Sequence, residues 1–106
     1  MSQEHKIDLI THKADGRWCL ILVEEGPWDG SVARLEALQD RLNAYLAFGL
    51  DGELLRQFPD SDGKPLVLRV DCTHVPDSVS LQFFEKLREH VPAYGVSFEW
   101  AVLSPA

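Results

Sequence analysis

The chain has 106 residues, of which 45% are hydrophobic and 25% charged, and this composition excludes a largely disordered chain. Its formal net charge is −7, with 17 acidic against 10 basic residues, which argues against general nucleic-acid binding because such a surface repels phosphate backbones. We therefore predict a single α/β domain over residues 1–106 with no nucleic-acid partner.

The compartment is predicted from the first ten residues, the apolar runs and the cysteines. The start, MSQEHKIDLI, lacks the charged-then-apolar layout of a signal peptide. The longest apolar run, residues 18–23, is far shorter than the ~20 residues that span a bilayer. Cys19 and Cys72 are too few for a disulfide framework. We expect a cytoplasmic protein with reduced thiols and no membrane partner.

The first two predicted elements form a β-hairpin. Residues 6–12 (KIDLITH) and 17–24 (RWCLILVE) are rich in β-branched and aliphatic side chains, and the turn signal KADG separates them. The second strand is apolar at both alternating sets of positions, which predicts a central strand covered on both faces.

A helical pattern follows, in which apolar side chains recur every three or four residues. Its apolar face holds Leu35, Leu38, Leu42, Tyr45, Leu46 and Leu50. The opposite face is predicted to hold most of the polar residues Arg34, Glu36, Gln39, Asp40, Arg41 and Asn43. Asp29 or Ser31 is the predicted N-cap. Residues 51–58 form either a last turn or a separate short helix, and residues 59–65 form a loop.

The second half repeats the strand–helix–strand pattern. Residues 66–72 and 96–102 alternate in polarity, as half-buried strands do. Between them lies a helix with Asp77 or Ser78 as N-cap and Pro92 as stop. Its predicted apolar stripe holds Val79, Phe83, Leu87 and Val91, with Phe84 beside it. The tail, residues 103–106, is expected to fray.

The predicted fold is an α+β two-layer sandwich of order β-β-α-β-α-β, with a four-stranded mixed sheet and both helices on one face. The helix-free face carries an apolar stripe from the second strand. Contiguous exposed apolar surface marks interfaces, so we expect self-association through this open sheet face. The alternatives are that a terminal segment covers the stripe, or that the patch is small and tolerated.

Trp28 lies in a Pro/Gly turn before the first helix. The simpler interpretation is that it packs against Val32 and Leu35 and fixes how the chain enters the helix. The alternatives are an anchor for a partner, since tryptophan is enriched at binding hot spots, and a surface for stacking a substrate. The candidate partner interface comprises Trp28, Arg69, Asp71 and Glu99.

Motifs that would carry chemistry are weak. Cys72 and His74 are two residues apart on a strand and hence on one face, but no other ligand spacing supports a metal site. DSDG at residues 60–63 indicates a turn rather than a calcium loop. Because no nucleophile motif or phosphate-binding loop is present, we predict no catalytic residue, metal or cofactor. Asp71, His74 and His12 are the best candidates should the protein be an enzyme.

Several segments together resemble a family of small bacterial proteins catalogued as a domain of unknown function, DUF6572. These are IDLI, LILVEEGPWDGS, the run from LQDRLNAYLAFGL to VLRVDC, and LQFFEKLREH. The matching positions are Trp28, Asp29, Gly30, Leu42, Asn43, Tyr45, Phe48, Asp51, Gly52, Pro59, Gly63 and Lys64. Gly49 departs from the pattern, where a bulky residue is commoner. The resemblance implies a fold and a bacterial origin, but no reaction.

We therefore predict a small protein-binding or regulatory module without chemistry of its own. One alternative is an immunity or antitoxin-like protein, whose acidity would mask a basic toxin. The other is a small enzyme of unidentified reaction, which would need a cleft with convergent ionisable groups.

Overall fold

The computed structural model describes residues 9–103, which form a four-stranded sheet and the helices packed on it. The strands are β1 (Leu9–His12), β2 (Trp18–Glu24), β3 (Leu66–Cys72) and β4 (Val96–Val102). The helices are α1 (Val32–Leu50), α2 (Glu53–Gln57) and α3 (Ser78–His90). This order confirms the predicted α+β sandwich and adds α2 as a separate short helix. The predicted start of the first strand at residues 6–8 and most of the fraying tail lie outside the described residues.

The strands lie side by side in chain order and form a mixed sheet. β1 is antiparallel to β2, whereas β2, β3 and β4 are mutually parallel. Each parallel connection crosses over through a helix, and two crossovers of one hand that advance in one direction place both helices on the same face. The predicted pairing and helix placement are confirmed.

The main core lies between this sheet face and the helices. Alternate strand residues point towards the helices and are buried: Trp18, Leu20, Leu22, Leu66, Leu68, Val70, Cys72, Val96 and Phe98. Leu38, Leu42 and Tyr45 of α1 and Phe84 of α3 close the layer from above. Each fully buried aliphatic side chain contributes about 1.5–3 kcal/mol, so this layer supplies most of the hydrophobic stabilisation.

The buried stripe of α3 differs from the predicted one. Ser80 and Phe84 are buried, whereas Val79 is exposed. The buried face is shifted towards Ser80 and Phe84, because the Phe84 ring packs 5.8 Å from that of Phe98 and 5.5 Å from that of Trp100. The rest of the predicted stripe stays at the core, since Val91 is buried and Phe83 and Leu87 are partly buried against it. The aromatic side chains of β4 therefore select the face of α3.

The helix-free face does not expose an apolar stripe, so that prediction was wrong. Cys19 and Val67 are 1% exposed and Ile21 is 7% exposed, as a second small cluster. The ion pair from Lys13 Nζ to Glu99 Oε1, at 3.5 Å, reaches across β2 and β3 above them. The exposed stripe was the reason to expect self-association through this face, and the burial of these residues removes that reason. Self-association itself stays a prediction.

Candidate functional site at the carboxyl edge

The three parallel strands end together at one edge of the sheet, which we call the carboxyl edge. The segments that follow β2 and β3, residues 25–31 and 73–77, lie against each other there. Gly26 N donates to Thr73 Oγ1 at 3.0 Å, and Thr73 N donates to the Glu24 carbonyl oxygen at 3.1 Å. Ligands of open α/β sheets commonly bind outside the carboxyl ends of the strands, so these two loops form the candidate functional site.

Glu24, the last residue of β2, is the buried charge of this edge. Its side chain accepts from Arg41 Nη1 at 2.6 Å and pairs with Arg34 Nε at 3.5 Å. The prediction that both arginines lie on the polar face of α1 was wrong. Positions 34, 38 and 41 fall on one helix face, and the arginines flank the buried Leu38. A glutamate that ends a buried strand could have indicated that arginines at this spacing turn inwards.

Arg34 also holds the loop that follows β2. Its guanidinium lies over the Trp28 ring at 3.9 Å from the ring centre and donates to the carbonyl oxygens of Glu25, at 2.9 Å, and Pro27. The Trp28 and Phe84 rings pack edge to face, with their centroids 5.7 Å apart. Trp28 therefore packs against the first turn of α1 as predicted, but through Arg34 rather than through Val32, which is exposed.

Two side-chain caps fix the helix starts beside this loop. Ser31 Oγ accepts from Arg34 N at 3.2 Å, and Asp77 Oδ1 accepts from Ser80 N at 2.8 Å. Hydrogen bonds from Ser80 lower the pKa of the Asp77 carboxyl. Gly30 has a positive φ of 72°, and a Cβ there would lie 2.9 Å from Asp77 Oδ2. The loops are therefore packed as closely as a glycine permits.

The outer surface of these loops is apolar and acidic. Val75 in the second loop is 74% exposed, Val32 and Val79 in the first turns of α1 and α3 are 70% and 46% exposed, and Trp28 in the first loop is half-buried. We call these four residues the valine patch. The segments 25–31 and 73–77 contain the carboxylates of Glu25, Asp29 and Asp77, and neither contains lysine or arginine. Exposed apolar groups that gather in one place mark interaction sites more often than isolated ones do.

Comparison with protein families now assigns the chain. A family model matches residues 1–104. The chain belongs to DUF6572, a family of unknown function. No curated protein and no solved structure matches it. The resemblance found in the sequence is confirmed, and DUF6572 membership brings no reaction or ligand with it.

The four candidate interface residues of this DUF6572 chain occupy two separate places. Trp28 is at the carboxyl edge, whereas Arg69, Asp71 and Glu99 lie on the helix-free face. Arg69 Nε pairs with Asp71 Oδ1 at 2.6 Å, which raises the pKa of the Arg69 guanidinium. A role of these residues in an interface stays a prediction, and it would need two surfaces.

The candidates for catalysis are also apart. His12 ends β1 opposite Trp18, at the amino end of β2, with the two rings 5.0 Å apart. Asp71 lies five residues along the neighbouring β3 from the level of Trp18, roughly 16 Å at the rise of a strand. His74 is near Asp71 in sequence but points its Nδ1 to Thr73 Oγ1 at 3.0 Å. These three side chains do not converge on one cleft.

The geometry predicted for Cys72 and His74 was wrong. The strand ends at Cys72, which is buried under the helices, and His74 is exposed in the following bend. Within residues 9–103, no group of three or more His, Cys, Asp or Glu side chains could hold a metal ion. Among the same residues, every helix is too short or too polar to cross a membrane.

Proposed function

We propose that this protein is a small protein-binding module whose binding surface is the carboxyl edge. The observation that carries the proposal is the valine patch, which combines a tryptophan and three exposed valines on two mutually bonded loops and the first turns of the helices that follow them. Each valine left in water forgoes burial energy that a partner could recover. Tryptophan beside such residues is the composition of a binding hot spot.

The loops that carry the patch are preorganised. Arg34 connects the 25–31 segment to α1 through the carbonyl oxygens of Glu25 and Pro27 and through the Trp28 ring. Within this segment, Asp29 Oδ1 accepts from Ser31 N at 2.9 Å. A surface that is ordered before binding loses less conformational entropy when a partner arrives. This rigidity favours recognition of a folded partner or an extended segment by a fixed shape.

The charge of the edge indicates the chemistry of the partner. The two loops carry the carboxylates of Glu25, Asp29 and Asp77, the Arg34 guanidinium over Trp28 is the one cation described at the patch, and the whole chain has a net charge of −7. Complementary potentials steer association and suppress wrong partners. The partner that fits is a basic protein segment in which apolar side chains alternate with lysine or arginine. An immunity or antitoxin-like inhibitor of a basic protein is the second candidate, and the same acidity supports it.

We place this module in the bacterial cytoplasm. The bacterial origin is what the sequence resemblance implies, and the two free, buried cysteines fit a reducing compartment.

A peptide titration followed by NMR tests the binding surface. The probe is a synthetic peptide of alternating lysine and leucine, and the control peptide replaces each leucine with serine. Amide shifts confined to residues 25–32 and 73–79, induced by the leucine peptide alone, are the expected result. Shifts spread over all acidic surface, or equal for both peptides, would show simple charge attraction and contradict the proposal.

Surface variants provide the matched control. Val75→Ser and Val79→Ser should each weaken the peptide by about three- to tenfold, because each removes one buried aliphatic contact worth about 1 kcal/mol. Tyr94→Ser changes a residue that is also exposed but lies at the opposite end of the parallel strands, and it should leave binding unchanged. Equal losses for all three variants would contradict a site at the carboxyl edge.

A further inference from the structure

The second feature that calls for a partner is the outer edge of β4. Its inner edge pairs with β3 over all seven residues without a bulge, and within residues 9–103 no further strand pairs with its outer edge. Leu103 N donates to the Cys72 carbonyl oxygen at 2.8 Å, and this bond shows which backbone N–H and C=O groups of β4 point towards β3 and which point away from it. Residues 97, 99 and 101 therefore bond to β3, while the N–H and C=O groups of residues 96, 98, 100 and 102 point outwards.

This edge lacks the usual protection against pairing. Natural edge strands carry lysine, proline or a bulge, or are very short. β4 reads VSFEWAV, with neither lysine nor proline, and its pairing is regular throughout. Its single charged residue, Glu99, points to the helix-free face, where it is paired with Lys13. A regular strand of seven residues with outward amides is a template for another strand.

We propose that β4 pairs antiparallel with β4 of a second copy of the chain, which joins two sheets into one eight-stranded sheet. A second copy is the favoured occupant because β4 can pair with itself without placing like charges opposite each other, and because this pairing covers its two most exposed large apolar side chains, Trp100 and Val102. Two-fold pairing centred on Glu99 would place the two Glu99 carboxylates face to face, and like charges directly opposite each other destabilise a strand pair.

Centring the two-fold axis on Trp100 removes this conflict. Glu99 then faces Ala101 of the other copy, and Trp100 faces its own equivalent. Trp100 is half-buried in one chain and Val102 is exposed, so both gain burial on pairing. Centring on Phe98 would instead place Phe98, which is already buried, opposite its own equivalent and Val96 opposite Trp100, and it would leave the exposed Val102 without a partner in β4. The register with Trp100 opposite Trp100 is therefore the one that β4 favours.

The proposal makes self-association a property of the sheet edge rather than of the helix-free face. It is also independent of the carboxyl-edge binding surface, since none of the residues of the valine patch belongs to β4. The joined sheet would leave both carboxyl edges open to partners.

Sedimentation velocity on the full chain tests the pairing. In the proposed register Val102 N–H donates to the partner copy, so Val102→Pro removes two hydrogen bonds per dimer and should weaken the dimer by about thirtyfold. Val102→Thr keeps the amide and the branched shape and should keep the dimer. Circular dichroism checks that both variants are folded. A wild-type chain that stays monomeric at about 100 μM, or equal dimerisation of both variants, would overturn the proposal.

A charge pair at Ala101 tests the register itself. Ala101→Lys places an ammonium opposite Glu99 of the other copy and should tighten the dimer, whereas Ala101→Glu places two carboxylates together and should weaken it by at least about threefold. The same measurement applies to both. If the two variants dimerise equally, the register centred on Trp100 is wrong. If the dimer responds instead to Arg69→Ser with Val102→Pro inert, the helix-free face is the interface.

Discussion

Glu24 shows how a single residue organises one end of the molecule. It is 8% exposed, and its carboxylate holds two arginines from α1, one of which in turn holds the loop with Trp28. A buried carboxylate is tolerated only when it is paired, and the two guanidinium groups supply that pairing. The end of β2 is thereby tied to both the helix above it and the loop beyond it.

We expect Glu24→Gln to lower the free energy of unfolding by about 2 kcal/mol, because two partly buried arginines lose their counter-charge while the side chain keeps its size. Urea denaturation at neutral pH measures the loss. Glu53→Gln is the control, since its bond to Arg56 at 2.6 Å is on the surface, and it should cost less than about 0.5 kcal/mol. Equal costs for both substitutions would show that the arginine network adds nothing to stability.

Gly49 matters at the scale of helix and strand. It lies inside α1, where glycine costs about 1 kcal/mol relative to alanine, so a compensating reason is needed. A Cβ at position 49 would lie 2.4 Å from Leu66 Cδ2 and 3.5 Å from Leu20 Cδ1. The end of α1 is therefore packed so closely against the start of β3 that a side chain at position 49 would require Leu66 to move.

Gly49→Ala should destabilise the protein by about 1–2 kcal/mol, because overpacking outweighs the gain in helix propensity. Leu66→Val removes the methyl group in conflict, so the double variant should lose less stability than the two single variants together. A double-mutant cycle by urea denaturation measures this coupling. Strict additivity, or a stabilising Gly49→Ala, would contradict the close approach of α1 and β3.

The elements were predictable from sequence because local signals and burial agree in them. The alternation of polarity at residues 66–72 and 96–102 matches strands of the same bounds. Ser31 and Asp77, each one of two predicted candidates, are the N-caps of α1 and α3. The burial of Phe84 instead of Val79 was not predictable, because the two residues belong to overlapping apolar stripes on α3. Only the packing of Phe84 against the aromatic side chains of β4 determines which stripe is buried.

The candidate site was only partly predictable. Trp28 was identified from its turn, but its contact with Arg34 depends on where α1 meets the end of β2. The apolar side chains of the helix-free face lie near an ion pair between Lys13 and Glu99, which are distant in sequence. No local sequence pattern predicts that these two side chains meet near Cys19. Hydrophobic periodicity in the sequence does not predict contacts between side chains of strands that are not neighbours in the sheet.

At the scale of the whole molecule, the sheet separates two layers of unequal thickness. On one side, helices α1 and α3 bury a continuous core. On the other, the small cluster of Cys19, Ile21 and Val67 lies beneath ion-paired side chains. Each layer contains one cysteine, and because the two point to opposite faces and lie at different levels of the sheet, they do not form a disulfide with each other.

The two thiols therefore report on the two layers, and we predict that Cys19 reacts with an aromatic disulfide reagent before Cys72. Burial raises the pKa of both thiols, that of Cys72 to about 11, so neither is appreciably ionised at neutral pH and the reaction awaits an opening of the structure. We expect movement of the Lys13 and Glu99 side chains, whose charges act on the Cys19 thiol, to uncover Cys19 without unfolding. Uncovering Cys72 requires the helices to leave the sheet, which is close to global unfolding.

Single-thiol variants, Cys19→Ala and Cys72→Ala, separate the two rates. The Cys72 rate should rise steeply with urea, in proportion to the surface exposed on unfolding, whereas the Cys19 rate should change little at low urea. Lys13→Ala should raise the Cys19 rate and leave the Cys72 rate as it is, because only the helix-free face loses cover. Identical urea dependence of the two rates would mean that the layers open together, and the sheet would then not divide the molecule into a firm and a lightly covered side.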